Sequence, residues 1–374
     1  MFDVIVCGAG PAGSVAATVL ARGGARVLLV DRSKFPRDKL CGDTINPGTV
    51  AILRRLELFG AIEPMTSRVD GMIVTGEHGV TVRCRYAAGE TGCALLRRDF
   101  DRVLMGAAVG AGARLEEATI VRGPLVDNTR DGPRVRGVVL AGRDGRDLRV
   151  PAPMVIAADG RRSRLAIPLG LTRHPRRPRR WAVGAYFSDV ADVSSYGEMH
   201  VRRGRYVGIA RVPSGLVNVC AVVTGGAGLD NPASMLFAQI ARDAPLRERF
   251  QRAKSATPPV VLGPLAVDAA DAGMPGLLLA GDAAGFIDPM TGDGLRFAVR
   301  GGELAGGVVL TAPGGRPYAA LRSARQHEFG RKWRFNRTVR RLVDRAATVE
   351  LAGVAAFTAP WILQRAIRYA GDAS

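Results

Sequence analysis

The sequence predicts an α/β fold: a discontinuous Rossmann-like domain, an inserted β-rich domain and C-terminal helices. Three observations lead to this prediction. The N terminus reads as strand, glycine-rich turn, helix and strand; alternating strand patterns dominate the middle of the chain; and a strand-and-glycine motif near residue 280 returns the chain to the first domain. The 374 residues and 47% hydrophobic content suit about two domains with substantial cores.

The N-terminal motif has the pattern of a dinucleotide-binding turn. Residues 2–7 form an apolar strand, residues 14–22 a helix of small residues, and residues 26–30 a second strand. The turn between the first strand and the helix is G-x-G-x-x-G, with the residues Gly8, Gly10, Pro11, Ala12 and Gly13. We expect this turn to bind a pyrophosphate.

The second strand ends at an acid. Asp31 lies 18 residues after Gly13, close to the ~20 expected for the carboxylate that binds the adenosine ribose. We therefore place Asp31 and the adjoining Arg32 at the adenosine end of the ligand. At this point the motif leaves FAD and NAD open.

A later motif fits the opposite end of the same dinucleotide. Residues 277–280 read as a buried strand, and Gly281 and Asp282 follow at its carboxyl end. Gly292, Gly294 and Leu295 then open a predicted helix. A carboxylate in this position suits a sugar-like hydroxyl, and an uncapped helix start attracts an anion.

The remaining patterns divide the chain into domains. Helices are predicted at 47–59, 97–110 and 231–254, hairpins at 69–86 and 137–150, and strands at 114–121, 154–158, through 181–223 and at 260–267. We assign residues 1–68, 95–172 and 268–312 to the nucleotide-binding domain and residues 69–94 and 173–267 to a β-rich substrate domain. Residues 313–374 form a C-terminal helical segment.

Composition argues against other classes of protein. The net charge of +19 invites a nucleic-acid interpretation, but 49 of the 53 basic residues are arginine and aromatic residues make up only 6%. We therefore predict no nucleic-acid partner. The five cysteines form no C-x-x-C pair and no leader precedes the first strand, which predicts a cytoplasmic protein with reduced thiols. The four histidines lack partners at ligand spacing, so no metal site is predicted.

Together these motifs resemble a known superfamily. Residues 8–13, Asp159 with Gly160, and Gly281 with Asp282 are similar to the three nucleotide signatures of the FAD-dependent aromatic hydroxylases. Residues 35–42 with residues 281–294 resemble, more narrowly, the geranylgeranyl reductase family, which borders the flavin halogenases. The resemblance covers residues 1 to about 310 and implies FAD as the cofactor.

The resemblance also implies roles for single residues. It places Gly8, Gly10 and Gly13 on the pyrophosphate, Asp31 on the adenosine ribose, Arg97 beside the FAD chain and Asp282 on the ribityl hydroxyls. Asp159 and Gly160 form the middle motif that supports the cofactor, and Cys41 with Gly42 lies beside the isoalloxazine. Pro289, Gly292, Gly294 and Leu295 follow at the family spacing, where helix amides would face the anionic reduced flavin. For Cys41, a buried structural thiol and a redox-active or substrate-facing one remain equal alternatives.

Two departures concern the substrate. The reductases carry a Y-x-W-x-F-P element, whereas this chain reads Tyr206, Val207 and Gly208 at the corresponding strand, which keeps the tyrosine and loses the tryptophan. Tyr206 is therefore a second candidate catalytic residue beside Cys41. The W-x-W-x-I-P motif of halogenases is absent, which argues against halogenation.

We expect an enzyme whose FAD is reduced by transient NAD(P)H and then acts on a lipophilic or aromatic small molecule. The loop at Cys41 favours reduction of a C=C bond, and the altered strand at Tyr206 favours hydroxylation through a flavin hydroperoxide. The alternative class is a non-catalytic flavin-binding or basic surface-binding protein.

The C-terminal segment suggests a membrane contact. Residues 331–345 carry many cations and a partly apolar face that includes Trp333, Val339 and Leu342, and residues 351–363 add an apolar stretch. Such a helix can lie on anionic lipid at the inner face of a membrane. The alternative is a helix packed on the protein with its arginines in water.

Overall fold

The computed structural model describes residues 1–40, 43–77, 79–142, 145–177, 179–226, 228–312, 316–344 and 359–371. The helices are α1 Pro11–Arg22, α2 Pro47–Arg55, α3 Arg97–Gly110, α4 Pro232–Ala241, α5 Ala244–Arg249, α6 Gly294–Thr311, α7 Pro317–Asp344 and α8 Pro360–Gly371. The strands are β1 Val4–Cys7, β2 Val27–Val30, β3 Thr44–Ile45, β4 Ser67–Val69, β5 Gly71–Thr75, β6 Thr81–Arg85, β7 Gly92–Ala94, β8 Arg114–Glu116, β9 Val121–Thr129, β10 Gly132–Ala141, β11 Asp147–Pro151, β12 Met154–Ala157, β13 Thr172–Arg173, β14 Arg180–Ser188, β15 Tyr196–Arg202, β16 Arg205–Arg211, β17 Val217–Thr224, β18 Lys254–Ser255, β19 Val260–Leu262, β20 Asp268–Ala269, β21 Gly273–Met274 and β22 Leu277–Leu279.

A parallel sheet forms the centre of the first domain and confirms the predicted α/β class. Its strands lie in the order β22, β12, β1, β2, β8, and β21 adds an antiparallel edge. Strands β1, β2 and β22 are buried along their whole length, as expected when both faces of a parallel sheet are covered. Helices α1 and α6 cover one face, and the antiparallel sheet β9 to β11 covers the other.

This strand order brings the predicted motifs together. The turn after β1, Asp31 after β2, Asp159 after β12 and Asp282 after β22 all follow neighbouring strands that run in the same direction. The carboxyl ends of parallel strands share one edge of a sheet, which is where open α/β folds bind their ligands. The motifs therefore line one continuous edge.

Two helices pack unusually closely behind this edge. A Cβ atom at Gly302 of α6 would lie 2.1 Å from the backbone oxygen of Ala12 in α1, so only glycine fits there. One turn further, a Cβ at Gly306 would lie 3.0 Å from Ala16 O. The small residues of α6 thus let the two helix backbones approach each other.

A larger mixed sheet takes its strands from two distant segments, 71–85 and 180–262. Its order is β18, β14, β17, β16, β15, β5, β6, with β19 also paired to β14 and with β5 parallel to β15. Helices α4 and α5 pack on one face. Near the other end of the sheet, α8 packs on β6 through Leu363 and Ile367. Both segments lie within the ranges 69–94 and 173–267 predicted for the substrate domain, whose boundaries stay a prediction. Strand β7, also in the first range, pairs instead with β3 and β4.

Some elements differ from the sequence expectation. The single helix predicted at 231–254 is two helices, because Asp243 is buried between them and caps α5 by accepting a hydrogen bond from Leu246 N. The strand predicted at 114–121 divides into β8 of the parallel sheet and the start of β9. The strand predicted at 260–267 ends at Leu262, just before Pro264, which has no amide to donate.

Candidate active site

Two positions of the first glycine turn, Gly8 and Gly13, have no room for a side chain. Gly8 has φ +102°, and a Cβ there would lie 2.4 Å from Ala158 O; a Cβ at Gly13 would lie 1.7 Å from Gly8 O. Helix α1 then begins at Pro11 behind Gly10, with no side chain capping its amides. The turn therefore presents free backbone N–H groups at the edge of the sheet.

Asp31 is held against this turn. Its Oδ2 accepts a hydrogen bond from Ala9 N at 2.8 Å, and its Oδ1 accepts one from Ser33 N at 2.8 Å. The neighbouring Arg32 is exposed, and its charge partly opposes the rise that burial causes in the pKa of Asp159, which places both on the same edge. The structure thus brings Asp31 and Arg32 to the predicted site.

A cationic group that the sequence did not fully reveal lies beside the turn. Arg97 is buried, and its Nη2 lies 2.9 Å from Oδ1 of Asp101, which is fully buried. Arg37 Nη2 lies 3.2 Å from Asp101 Oδ2 and close to Gly10. Burial, reinforced by the charge of Arg97, lowers the pKa of Lys39 to about 8. One carboxylate thus orients two arginines, which leaves net positive charge suited to a pyrophosphate.

The middle motif contains a buried oxygen without a partner. Asp159 Oδ2 accepts a hydrogen bond from Arg164 N at 2.8 Å, whereas the buried Oδ1 has no partner among the described residues. Burial raises the pKa of Asp159 above its usual range. Gly160 follows with φ +83°. An orphaned carboxylate oxygen at a ligand edge is typical of a site that a ligand completes.

The late motif turns sharply twice. Gly281 has φ +59°, and a Cβ there would lie 2.8 Å from the Cβ of Ala12. Asp282 Oδ2 lies 3.9 Å from Arg161 Nε. The 289–294 loop then runs through Pro289 and Gly292, which has φ +69°, to the start of α6 at Gly294. The helix begins without a side-chain cap, and Leu295 is buried behind it. The predicted open helix start is therefore present, at Gly294.

Lys332 links the 289–294 loop to the C-terminal helix α8 through hydrogen bonds. Its Nζ lies 3.2 Å from Asp293 Oδ1 and also donates to the backbone oxygens of Tyr369, at 2.5 Å, and Ala370, at 2.9 Å. Asn46 Nδ2 donates to Ala370 O at 3.4 Å. The end of α8 is therefore tied to residues that frame the 289–294 loop.

Tyr206 belongs to a buried triad. Its hydroxyl donates to Asp288 Oδ1 at 2.6 Å, and Arg180 Nη1 lies 2.9 Å from Asp288 Oδ2. Asp288 Oδ1 also accepts from Met290 N, at the start of the 289–294 loop. Tyr206 thus supports that loop from the mixed sheet. The other candidate, Cys41, lies with Gly42 outside the described residues, and its role stays a prediction.

A cavity of about 540 Å³ lies between the 289–294 loop, the mixed sheet and the helices α7 and α8. Most of its lining is aliphatic or aromatic, including Met72, Ile209, Phe286, Phe335 and Leu363. The polar side chains in the wall are fewer, namely Asp43, Thr44, Asn46, Thr75, Tyr86, Glu198, Tyr206, Asn218, Thr291 and Thr338. This is the lining expected for a hydrophobic ligand with one reacting region.

Two carboxyl groups in this wall differ in their environments. Glu198 accepts from Arg249 at 2.6 and 2.9 Å and pairs with His200, and these contacts lower its pKa. Asp43 is 3% exposed, and burial raises its pKa to about 7 although Asn218, Tyr186 and the amide of Arg97 donate hydrogen bonds to it. Sequence reasoning missed Asp43, since its partners lie on distant elements.

The C-terminal helices form both a wall and a surface. Val339 and Leu342 of α7, predicted to face a membrane, line the cavity, and Leu342 is also partly exposed to solvent. On α8, however, Trp361 is 63% exposed and Ile362 is also exposed. Among the described helices, none combines the length and hydrophobicity needed to span a bilayer. Residues 345 and 351–358 of the predicted membrane segment lie outside the described residues.

Comparisons with known proteins agree with this geometry. The family model described as "FAD binding domain" matches residues 1–226. The chain is 29% identical over 388 aligned residues to a menaquinone reductase of Mycolicibacterium smegmatis, covering 99% of this chain and 91% of that protein. It is 32% identical over 332 residues to digeranylgeranylglycerophospholipid reductase 1 of Methanothermobacter thermautotrophicus, covering 83% of this chain and 77% of that protein. A myxobacterial chondrochloren halogenase has the same fold, with a TM-score of 0.81 at 23% identity over 89% of this chain and 81% of that one.

Proposed function

Because the chain belongs to the geranylgeranyl reductase family of FAD-binding-domain proteins, we propose that it saturates carbon–carbon double bonds in the polyprenyl chain of a lipid or quinone. It is an FAD-dependent oxidoreductase. The relatives are named as reductases of a digeranylgeranyl lipid and of menaquinone, and both compounds carry polyprenyl chains. The observation that carries the proposal is the apolar cavity that adjoins the 289–294 loop.

The residues along the sheet edge fit FAD. The uncapped amides of α1, the guanidinium of Arg37 beside Gly10 and the paired arginines on Asp101 suit a doubly anionic pyrophosphate. The orphaned oxygen of Asp159 suits a hydroxyl or N–H donor of the same ligand. We propose that residues 8 and 10–13 hold the pyrophosphate, Asp31 and Arg32 the adenosine ribose, and Asp282 the ribityl chain. Residues 289–295 would face the isoalloxazine.

Bound and reduced FAD would supply a hydride, and NAD(P)H is the reductant we propose for it. The chain itself would position the flavin and the double bond of the substrate. The amides at the start of α6 offer positive charge to an anionic ring, and the apolar wall excludes water from the double bond. Arg37, Arg97 and Lys39 balance the phosphates.

A half-reaction experiment tests the proposed function. The FAD-loaded protein is reduced without oxygen by NADH or NADPH and then mixed with a geranylgeranyl lipid or menaquinone. We expect the flavin absorbance to recover and the product mass to rise by two hydrogens for each bond. A colourless protein, or a reduced flavin that no polyprenyl compound reoxidises, would contradict the proposal and favour the non-catalytic alternative.

Hydroxylation is a second candidate, because β16 carries Tyr206, Val207 and Gly208 without the tryptophan of the reductase pattern. The same assay in air separates the two reactions. Hydroxylation consumes one oxygen molecule for each product and adds an oxygen atom, whereas saturation proceeds without oxygen.

We further propose that the face around α8 rests on an anionic membrane while the cavity takes up its substrate. The side chains of Trp361, Ile362 and Leu342 are exposed, and those of Ile362 and Leu342 also line the cavity. Arg337, Arg341 and Arg365 lie on the same two helices.

Sedimentation with phosphatidylglycerol vesicles at low salt tests this contact. The double variant Trp361→Ser, Ile362→Ser should lose most of its binding, and Leu148→Ser, an exposed leucine in the β9 to β11 sheet, is the matched control. Equal binding by both variants would contradict the proposal.

A further inference from the structure

We propose that Asp43 is a catalytic residue that donates the proton when the double bond is saturated. The inference rests on the proposed function, since saturation needs a proton as well as a hydride. The carboxyl lies in the wall of the same cavity as Gly292, Gly294 and Leu295, where the reacting bond must approach the cofactor.

The position of Asp43 is fixed from several elements. Its backbone oxygen accepts from Leu95 N at 2.9 Å, and its Oδ1 accepts from Arg97 N at 3.2 Å at the start of α3. Asn218 on β17 donates to its Oδ2, and Tyr186 on β14 donates to the carboxyl as well. A group held by both domains has the rigid placement that proton transfer requires.

The surroundings of Asp43 keep a substantial share of its carboxyl in the acid form near neutral pH. The titratable or charged groups that face it are Arg97 and Tyr186, and burial outweighs their stabilisation of the carboxylate, so its pKa rises to about 7. Burial likewise raises the pKa of Tyr186, which keeps the phenol protonated. Glu198, the other carboxyl in the wall, is held ionised by Arg249 and His200 and has no proton to give.

The step balances in atoms and electrons. The π bond breaks and two C–H bonds form: one carbon receives a hydride with its electron pair from the reduced cofactor, and the other receives the proton of Asp43. The cofactor is oxidised, the alkene is reduced, and the resulting carboxylate regains a proton from water. NAD(P)H restores the hydride.

Asp43→Asn tests the assignment because the amide keeps the shape of the carboxyl and loses its proton. We expect reduction of the flavin by NAD(P)H within twofold of wild type and alkene-dependent reoxidation at least ~100-fold slower. In the wild type the reoxidation rate should fall as pH rises through about 7, because the acid form is required. Asp43→Glu, which retains an acid, should recover part of the rate, and Asp268→Asn, an exposed aspartate on β20, is the matched control.

Infrared difference spectroscopy of the FAD-free protein gives a readout that does not depend on turnover. Titration from pH 5 to 9 should show a protonated-carboxyl band that disappears near pH 7 in the wild type and is missing in Asp43→Asn. An ionised Asp43 throughout, or an Asp43→Asn variant that reduces alkenes at the wild-type rate, overturns the inference and leaves the proposed function standing. A wild type that saturates no polyprenyl compound overturns both.

Discussion

The close approach of α1 and α6 predicts that Gly302→Ala destabilises the protein and weakens its hold on FAD. The new methyl group would lie 2.1 Å from the backbone oxygen of Ala12, whereas ordinary contact begins near 3.4 Å. The obstructing atom belongs to a helix backbone and has no rotamer to change. The two helices must therefore separate locally by about 1 Å.

The size of the effect follows from two opposing contributions. Overpacking a dense core costs about 1–3 kcal/mol, and alanine gains up to about 1 kcal/mol over glycine within a helix. A clash with backbone should cost as much as the upper end of the overpacking range, so we expect a net loss of about 2 kcal/mol in the free energy of unfolding. The displaced residue, Ala12, lies in the first turn of α1, so FAD binding should weaken at the same time.

The same helix provides the matched control. A Cβ at Gly307 would meet no atom within 4 Å, so Gly307→Ala has the propensity gain without the clash. Equilibrium urea unfolding of the two variants, together with FAD retained on gel filtration, separates the contributions. If Gly302→Ala unfolds at the same urea concentration as Gly307→Ala and keeps its FAD, the packing argument is refuted.

Three further predictions concern the loop and the cavity wall. Lys332→Met should lower the free energy of unfolding by about 3 kcal/mol, because it removes the cation beside the buried Asp293 carboxylate. The control Arg331→Met, at an exposed position of the same helix, should change it little, and equal urea midpoints for the two variants would contradict this. Tyr206→Phe should cost about 1–2 kcal/mol in the same unfolding assay, because the buried Asp288 Oδ1 loses its tyrosine donor and keeps the amide of Met290; an unchanged midpoint would show that the bond contributes nothing. Asp43 should destabilise the fold as pH rises from about 4 to about 7, because the folded chain keeps a proton up to pH 7 that the unfolded chain releases near 3.8. The free energy of unfolding of wild type relative to Asp43→Asn should therefore fall across that window, and a constant difference would refute this prediction.

Much of the sheet edge could be predicted from sequence, because its requirements are local. Gly8 and Gly13 must be glycine for steric reasons, and Asp31 follows its strand at a spacing that the fold dictates. The same holds for Asp282 and the open start of α6. These features depend on a few neighbouring residues and leave a recognisable pattern.

The groups that the sequence did not reveal depend on distant partners. Asp43 meets Asn218, which lies 175 residues away, and Asp288 meets the predicted Tyr206 across 82 residues. The role of Asp101, as the shared partner of Arg37 and Arg97, appears only once α3 packs beside the first turn. Such contacts have no spacing signature, because tertiary packing creates them.

The attachment of α8 has a consequence for substrates of different length. The helix closes one side of the cavity, and the carbonyl groups near its end accept hydrogen bonds from Lys332, which also donates to Asp293 in the 289–294 loop. A substrate too large for the cavity cannot displace α8 without also displacing the 289–294 loop. The position of α8 therefore limits the length of substrate that fits, and a substrate that displaces α8 also displaces the loop at the reaction centre.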